Sequence, residues 1–538
     1  MKEIQNMRCL LLLFLAFLTG CASIPNTSVA NLKGGLPDGH GIVVAQTLTN
    51  GIRITGPLTR WDEMILWRVD GDEGEKTLSL PALPGGAHTE QYMGAVPSGK
   101  YRVGLLWAYL TSGDFSYWAK AFVPPAIGEF EVTAGQVTDL GLILYQPFET
   151  KSLRSNELPD YAITQIVEPS VWPSVRNAQA DILTELGSNP IITALDNTET
   201  REARIEVYEK MESLGQPLSL HRAGNETVVV GKLGLVESLT SQAKLSLGKF
   251  TVLDVLKTES DGWLVGGEQG LLVEVSSTGE ERFRLDLDLN EHVSKLTPIN
   301  SSTALITTLH EGVFIFYLFD FHSRALNKIK SIQQLKPGFF FTVSYPEILS
   351  KENKIDIFMD GIKHSYSLED ASWSQEKSKE FTYLNVQPNG TIIGAPYSGW
   401  SGYNKTVFST DSGQNWTELK TNTSTYKTYR FANANLLRTG GDADFKLFGK
   451  GWVDKEFVPV LLSKDNGATW TNHGKLPIEC KQLFPEVSED NSLIVLCEDG
   501  SVVESKDMGA SWTNIREANA GSVTDFPKGF TVTYQRSK

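Results

Sequence analysis

One eight-residue pattern, Ser-x-Asp-x-Gly-x-x-Trp, occurs three times in the second half of the chain: STDSGQNW at 409–416, SKDNGATW at 463–470 and SKDMGASW at 505–512. The copies start 54 and 42 residues apart, and short strand-like runs with turns such as NGT and EDGS fill the intervals. Self-similarity at that period, in strand-rich sequence, implies the blades of a β-propeller. The residue types explain the turn. Gly413, Gly467 and Gly509 give the backbone freedom of a tight reversal between the third and fourth strands of a blade. Ser409, Ser463 and Ser505, with Asp411, Asp465 and Asp507, can hydrogen-bond that backbone. Trp416, Trp470 and Trp512 can then pack into the blade. Each role is structural, so none of these aspartates is read as catalytic.

Degenerate copies at SLEDASW, 367–373, and SSTGEERF, 276–283, place further units. Blades are expected at about 217–247, 250–285, 293–330, 338–376, 381–420, 429–473 and 478–515, roughly seven in all. The last piece, SVTDFPKGFTVTYQR at 522–536, is expected to return to the first blade and close the ring, which removes exposed strand edges.

The repeat resembles the Asp-box, or BNR repeat, of bacterial and animal sialidases. That resemblance implies a sialidase-like propeller and makes a glycoside hydrolase the alternative function. Such chemistry needs an arginine cluster to clamp a substrate carboxylate, a Tyr-Glu nucleophile pair and an acidic proton donor. The family's Arg-Ile-Pro signature is missing, and its nearest match, Arg53-Ile54-Thr55, lies far upstream of the repeat. Arg430, Arg438, Arg516 and Arg536 are the arginines available for a clamp. SGWSG at 398–402 has the wrong register for a nucleophile elbow, and no zinc-protease or phosphate-loop motif occurs. No catalytic residue, metal site or cofactor is assigned, and the balance leans away from an enzyme.

Residues 1–20 read as an export signal: Lys2 and Arg8 precede the apolar run CLLLLFLAFL. Leu18-Thr19-Gly20-Cys21 resembles the lipobox of bacterial lipoproteins. The resemblance implies cleavage before Cys21 and acylation of that residue, with palmitate-like chains that anchor the protein to a membrane. Ala22 follows, rather than the aspartate of an inner-membrane retention signal, so the bacterial outer membrane is favoured. Residues 21–40, rich in Gly, Pro, Ser and Asn, read as a flexible tether that would lift the next domain roughly 25 Å from the lipid.

Export also changes how cysteines are read. Cys480 and Cys497 flank a predicted hairpin at nearly equal distances from its turn, and in an oxidising compartment a disulfide across the ladder is expected. A thiol nucleophile or a metal pair is the alternative. Acidic residues number 64 against 49 basic, for a net charge of −15, and no long basic run exists. Nucleic acid is therefore excluded as a partner.

Residues 41–148 carry short strand-like runs at sandwich spacing and are expected to form a β-sandwich. VPSGKYRV and FEVTAGQVTDLG resemble small exported sandwich domains of the transthyretin-like or carboxypeptidase-regulatory kind, which implies binding or spacing. In LLWAYLTSGDFSYW, the rings of Trp107, Tyr109, Phe115, Tyr117 and Trp118 are expected in the core, with a contact surface as the alternative. DGDEGE at 70–75 reads as a solvated turn. Residues 149–216 read as a helical connector. One helix has Val175, Ala178, Ile182 and Leu186 on a face; a second has Ile205, Tyr208, Met211 and Leu214.

The whole is mainly β: sandwich, short helical connector and a roughly seven-bladed Asp-box propeller over 217–538. Connections between second and third strands emerge opposite the Asp-boxes. In the fifth blade that connection carries Tyr397, Trp400 and Tyr403; in the sixth it carries Lys450, Trp452 and Asp454. Aromatics among glycines suit stacking on sugar rings or anchoring a protein, or else cover the propeller mouth. The preferred function is a lipid-anchored envelope protein that binds a protein or glycan partner without catalysis. It is also similar, over the propeller, to the lipid-anchored propellers that assist photosystem II assembly.

Overall fold

The computed structural model describes residues 27, 35–50, 60–70, 77–83, 88–112, 115–148, 159–167, 170–179, 192–194 and 200–533, apart from 224–225, 286, 335–344, 352, 380, 388, 397–405, 420–427, 432, 440–456, 478–479, 481–485, 488–491, 498 and 519–520. Cys21, Arg53 to Thr55, Ile182 and Leu186 lie outside the described residues. No helix among the described residues is long and apolar enough to cross a membrane.

The first strands are β1 (His40–Thr49), β2 (Glu63–Arg68), β3 (Thr77–Pro81), β4 (Thr89–Pro97), β5 (Gly99–Ser112), β6 (Phe115–Phe122), β7 (Glu129–Val132), β8 (Val137–Pro147), β9 (Tyr161–Ile166) and β10 (Ile192–Ala194). One sheet runs β3-β2-β5-β6, with β7 also on β5; the other runs β9-β8-β1-β4, with β10 on β8. The β1–β8 and β10–β8 pairs are parallel. A single apolar cluster joins both sheets, with Val43, Tyr92 and Tyr145 from one and Met64, Leu66 and Leu106 from the other.

Three expectations change here. Alternation along β5 and β6 gives Leu106, Ala108, Ala119 and Ala121 to that cluster. It turns Tyr109 and Trp118 outward, 51% and 50% exposed, so these aromatics are surface rather than core. The reason is parity: small alanines face the opposing sheet and bulky rings alternate with them. The stretch expected as a helical connector also contributes β9 and β10 to the second sheet, between and beside helices α1 (Trp172–Ala178) and α2 (Arg201–Leu214). Helix α2 buries Arg204, Val207 and Met211 and leaves Ile205 39% exposed. Steps of three drift around a 3.6-residue helix, whereas steps of three and four stay on one face. Finally, the segment expected as a free tether touches the fold, for Thr27 N and Oγ1 both donate to Ser79 O, at 3.1 and 2.8 Å.

Among the described residues, seven four-stranded antiparallel sheets then follow in chain order: 216–246, 252–284, 292–333, 347–377, 381–418, 428–477 and 486–516. Apolar clusters join each to the next. Val230 meets Val265, Leu264 meets Val293, and Phe316 shares a cluster with Ile355. Phe358 joins Ile392, Phe408 joins Leu436, and Val460 joins Val495. Leu220 of the first sheet and Ile494 of the seventh share a further cluster, and Arg516 Nε lies 3.0 Å from Glu237 Oε2 across the same seam. The array therefore closes on itself as a propeller, and its sheets are its blades.

Closure does not use the C-terminal segment. The first blade completes its strands from 216–246 alone, which leaves no place for a returning strand. Instead Thr531–Val532 pairs with β9, and Phe526 packs on Phe148 at 5.2 Å in the first core. The disulfide between Cys480 and Cys497 is present, with Cα atoms 4.0 Å apart. It lies outside the ladder, whose register pairs Glu486 with Ile494 and Val487 with Leu493. The bond thus ties the approach to the seventh blade's first strand to the end of its second.

Candidate functional site

The Asp-box turns are built from their own side chains. In the sixth blade Ser463 Oγ donates to Asp465 Oδ1 at 2.8 Å and accepts Gly467 N at 2.8 Å. Asp465 accepts Thr469 N at 2.8 Å and Thr469 Oγ1 at 2.6 Å. Ser409 and Asp411 do the same around Gly413 and Asn415, and Ser505 and Asp507 around Gly509 and Ser511. Two left-handed residues in succession, such as Asn466 at φ 65° and Gly467 at φ 86°, make the reversal. Trp416, Trp470 and Trp512 each pack against the seam with the preceding blade. Bonds from Thr469 hold the Asp465 carboxyl at about 2, and bonds from the Asn415 amide, the Ser409 hydroxyl and the Asn415 side chain hold Asp411 at about 2. Carboxylates ionised so firmly have no proton to give at neutral pH. A related turn closes the third blade, where Asp320 Oδ1 accepts Ser323 N at 2.7 Å, although no Asp-box spelling announces it.

At the opposite end of the blades, β1 and β4 of the first core meet the first and second blades. Glu268, in the connection after the second blade's second strand, accepts His88 N at 2.7 Å and the Thr89 hydroxyl. Lys232, ending the second strand of the first blade, donates to Thr49 O. Glu90 Oε2 accepts Thr47 Oγ1 at 3.1 Å. Glu90, Lys232 and Glu268 are 7%, 6% and 1% exposed. Burial pushes the Glu90 carboxyl up to about 8 against the pull of Lys232, and pushes the Lys232 ammonium down to about 8 against Glu90 and Glu268. Beside them Asn50 Nδ2 donates to Gln146 Oε1 at 2.6 Å and Met211 O at 2.9 Å. This junction was invisible to spacing arguments, because its residues come from distant stretches of the chain.

Between the first and second blades stand Ser219, His221 and Asp254. Ser219 Oγ lies 2.7 Å from His221 Nε2, and His221 Nδ1 lies 2.7 Å from Asp254 Oδ1. Those distances match a nucleophilic triad. The remaining bonds point elsewhere: Ser219 Oγ donates to Leu253 O at 3.1 Å, and Asp254 Oδ2 accepts Leu296 N at 2.7 Å. The trio staples the inner strands of three successive blades. The arginines named for a clamp do not converge: Arg430 lies over Phe408, Arg438 over Trp470, and Arg516 beside Glu237. Arg536 is outside the described residues. No group of His, Cys, Asp or Glu suited to a metal ion occurs among the described residues.

Tyr397, Trp400, Tyr403, Lys450, Trp452 and Asp454 all lie outside the described residues. The strands that bracket them still place their connections. In the first, third and fourth blades the connection from second to third strand is short, at 233–234, 311–312 and 360–361. In the second and seventh it spans 268–271 and 497–501. In the fifth and sixth blades it runs over 397–406 and 440–456. The strand ends that bracket these two long connections belong to adjacent blades and lie at the end of the blades where the first core meets the first and second.

No family model and no curated protein matches the chain. Among solved structures it is similar to YCF48 bound to D1 peptide, at 15% identity and TM-score 0.34 over 49% of this chain and 82% of that one. BamB from Moraxella catarrhalis matches at 13% identity and TM-score 0.35, over 56% and 88%. PorZ, a surface component of the type-IX secretion system of Porphyromonas gingivalis, matches at 13% identity and TM-score 0.27, over 77% of this chain and 50% of that one. At such scores the likeness concerns the fold alone, and no function is taken from it.

Proposed function

We propose that the chain is a bacterial envelope lipoprotein, anchored to the outer membrane through acylated Cys21, that binds a protein or glycan partner without catalysis. Binding uses the propeller end opposite the Asp-box turns, at Tyr397, Trp400 and Tyr403 and at Lys450, Trp452 and Asp454. One observation carries this reading. The long second-to-third-strand connections fall on two adjacent blades, while those of the other five span five residues or fewer. Long connections on a rigid scaffold are where recognition residues concentrate. Aromatic rings flanked by glycines supply large contact area at low entropic cost.

The test is affinity capture from detergent-solubilised envelopes, with the intact lipoprotein beside a Tyr397→Ala, Trp400→Ala, Trp452→Ala variant. A partner retained by the first and lost by the second is the expected result. A partner held equally by both removes these connections from the interface. If nothing is captured, a glycan array and a glycosidase screen decide between sugar binding and the sialidase-like alternative.

A further inference from the structure

The outer face of the sheet β3-β2-β5-β6 has no partner among the described residues. Trp67, Trp107, Tyr109, Trp118 and Phe122 stand on it, and Tyr109, Trp118 and Phe122 are 51%, 50% and 50% exposed. Two cations sit among the rings: Arg102 lies 4.7 Å over Trp67, and Lys120 lies 4.8 Å over Trp107 and 5.4 Å over Trp118. Of the carboxylates on this sheet, Asp62 bonds Arg60 and the Tyr109 amide, Glu63 accepts the Ser79 hydroxyl, and Glu129 on β7 pairs in register with Arg102.

The position of this face relative to the chain's start is decisive. Thr27 bonds to Ser79 on β3, the edge strand of this same sheet. Ser79, Ile65, Leu105 and Phe122 pair in one row across the four strands, so β3 and β6 are about 14 Å apart at about 4.8 Å per strand. Five residues lie between Cys21 and Thr27, and the six steps from one to the other reach at most about 22 Å. An acyl anchor on Cys21 therefore ends within reach of the whole face.

We propose that this face rests on the bilayer interface that holds the acyl anchor, a reading that rests on acylation of Cys21. Tryptophan and tyrosine favour the headgroup region, where an apolar ring meets water, and Lys120 meets the phosphates of anionic lipids. A sugar would need open ring faces. Those of Trp67 and Trp107 are taken by Arg102 and Lys120, whereas half-exposed Tyr109, Trp118 and Phe122 present apolar surface to lipid. The sheet then lies flat on the membrane and fixes the orientation of the propeller above it.

The test uses the full mature chain in two forms, acylated and Cys21→Ser, with vesicles of phosphatidylethanolamine and phosphatidylglycerol. A fluorophore sensitive to polarity is placed on Ser116→Cys, beside the aromatic face, or on Asn472→Cys, on the sixth blade, as control. Emission from position 116 is expected to rise severalfold when the acylated chain is in vesicles, with position 472 unchanged. In a Tyr109→Ser, Trp118→Ser, Phe122→Ser variant the rise is lost while the melting temperature holds. No rise at 116 in the acylated chain overturns the proposal, as does a rise that survives the triple variant. Binding of soluble envelope glycans by the face in place of vesicles also overturns it. The mass of the mature native chain reports acylation separately, so failure of the anchor and failure of the face are distinguishable.

Discussion

Carboxylates at two places in this molecule are driven in opposite directions. At the Asp-box turn of the sixth blade, Asp465 stands in solvent and bonds from Thr469 hold its carboxyl at about 2. At the junction between the first core and the propeller, Glu90 is 7% exposed and burial lifts its carboxyl to about 8. The turn is assembled from residues within a few positions of one another, so it can recur blade after blade and be altered without disturbing distant parts. The junction gathers Thr47, His88, Thr89, Glu90, Lys232 and Glu268, and each buried polar group depends on another. Local and long-range polar structure should therefore fail differently.

The largest effect is expected at the junction. Glu268→Ala strips the acceptor from the His88 amide and the Thr89 hydroxyl and removes negative charge beside Lys232. Breaking a buried pair by deleting one member costs about 3–5 kcal/mol, read as a lowered urea midpoint. Glu268→Gln keeps an acceptor and should fall between the variant and the wild type. If Glu268→Ala costs no more than a change at an Asp-box, the contrast between the two regions collapses.

A smaller loss is expected at the turn. Ser463 is 1% exposed, and Ser463→Ala leaves the buried Gly467 amide without its acceptor. An orphaned buried donor costs about 1–3 kcal/mol. Asp465→Asn should cost less than Ser463→Ala, because Asp465 acts from solvent and Asn can still accept the Thr469 amide. The same denaturation series gives the ranking, and a reversed order would mean that the aspartate, rather than the serine, carries the turn.

The same contrast explains what the sequence disclosed. Asp-box copies are short, so Ser463 to Trp470 betrayed the blades, and the mainly β propeller fold followed from their spacing. The first core was readable as strands because alternation is local. Its aromatic face was misjudged, since LLWAYL alone does not say whether the leucines and alanines or the rings point inward; the facing sheet decides. The fate of 522–533 was hidden for a similar reason. Phe526 and Phe530 fit an apolar site near Phe148, and no pattern within the segment names a site so distant in sequence. Ser219, His221 and Asp254, and the junction carboxylates, escaped notice because their meaning lies wholly in contacts between elements.

The finest test of the comparison is the pH dependence of stability. The folded state keeps Glu90 protonated up to about 8, whereas an unfolded glutamate ionises near its ordinary value of 4.5. Between those values the folded state binds the extra proton, so stability falls as pH rises, by up to about 1.4 kcal/mol per pH unit for a single group. Lys232 acts in the next window: its folded value of about 8 lies below the unfolded 10.5, so the unfolded state binds more protons there and stability climbs again. The two together place a minimum near pH 8. Asp465 behaves in the opposite sense, its contribution being present above 3.8 and lost as pH falls toward about 2. Unfolding free energies from urea titrations between pH 5 and pH 8 should therefore descend in the wild type by about 1 kcal/mol per pH unit and run nearly level in Glu90→Gln. A descent that persists in Glu90→Gln would assign the proton to another group and remove Glu90 from the account of the junction.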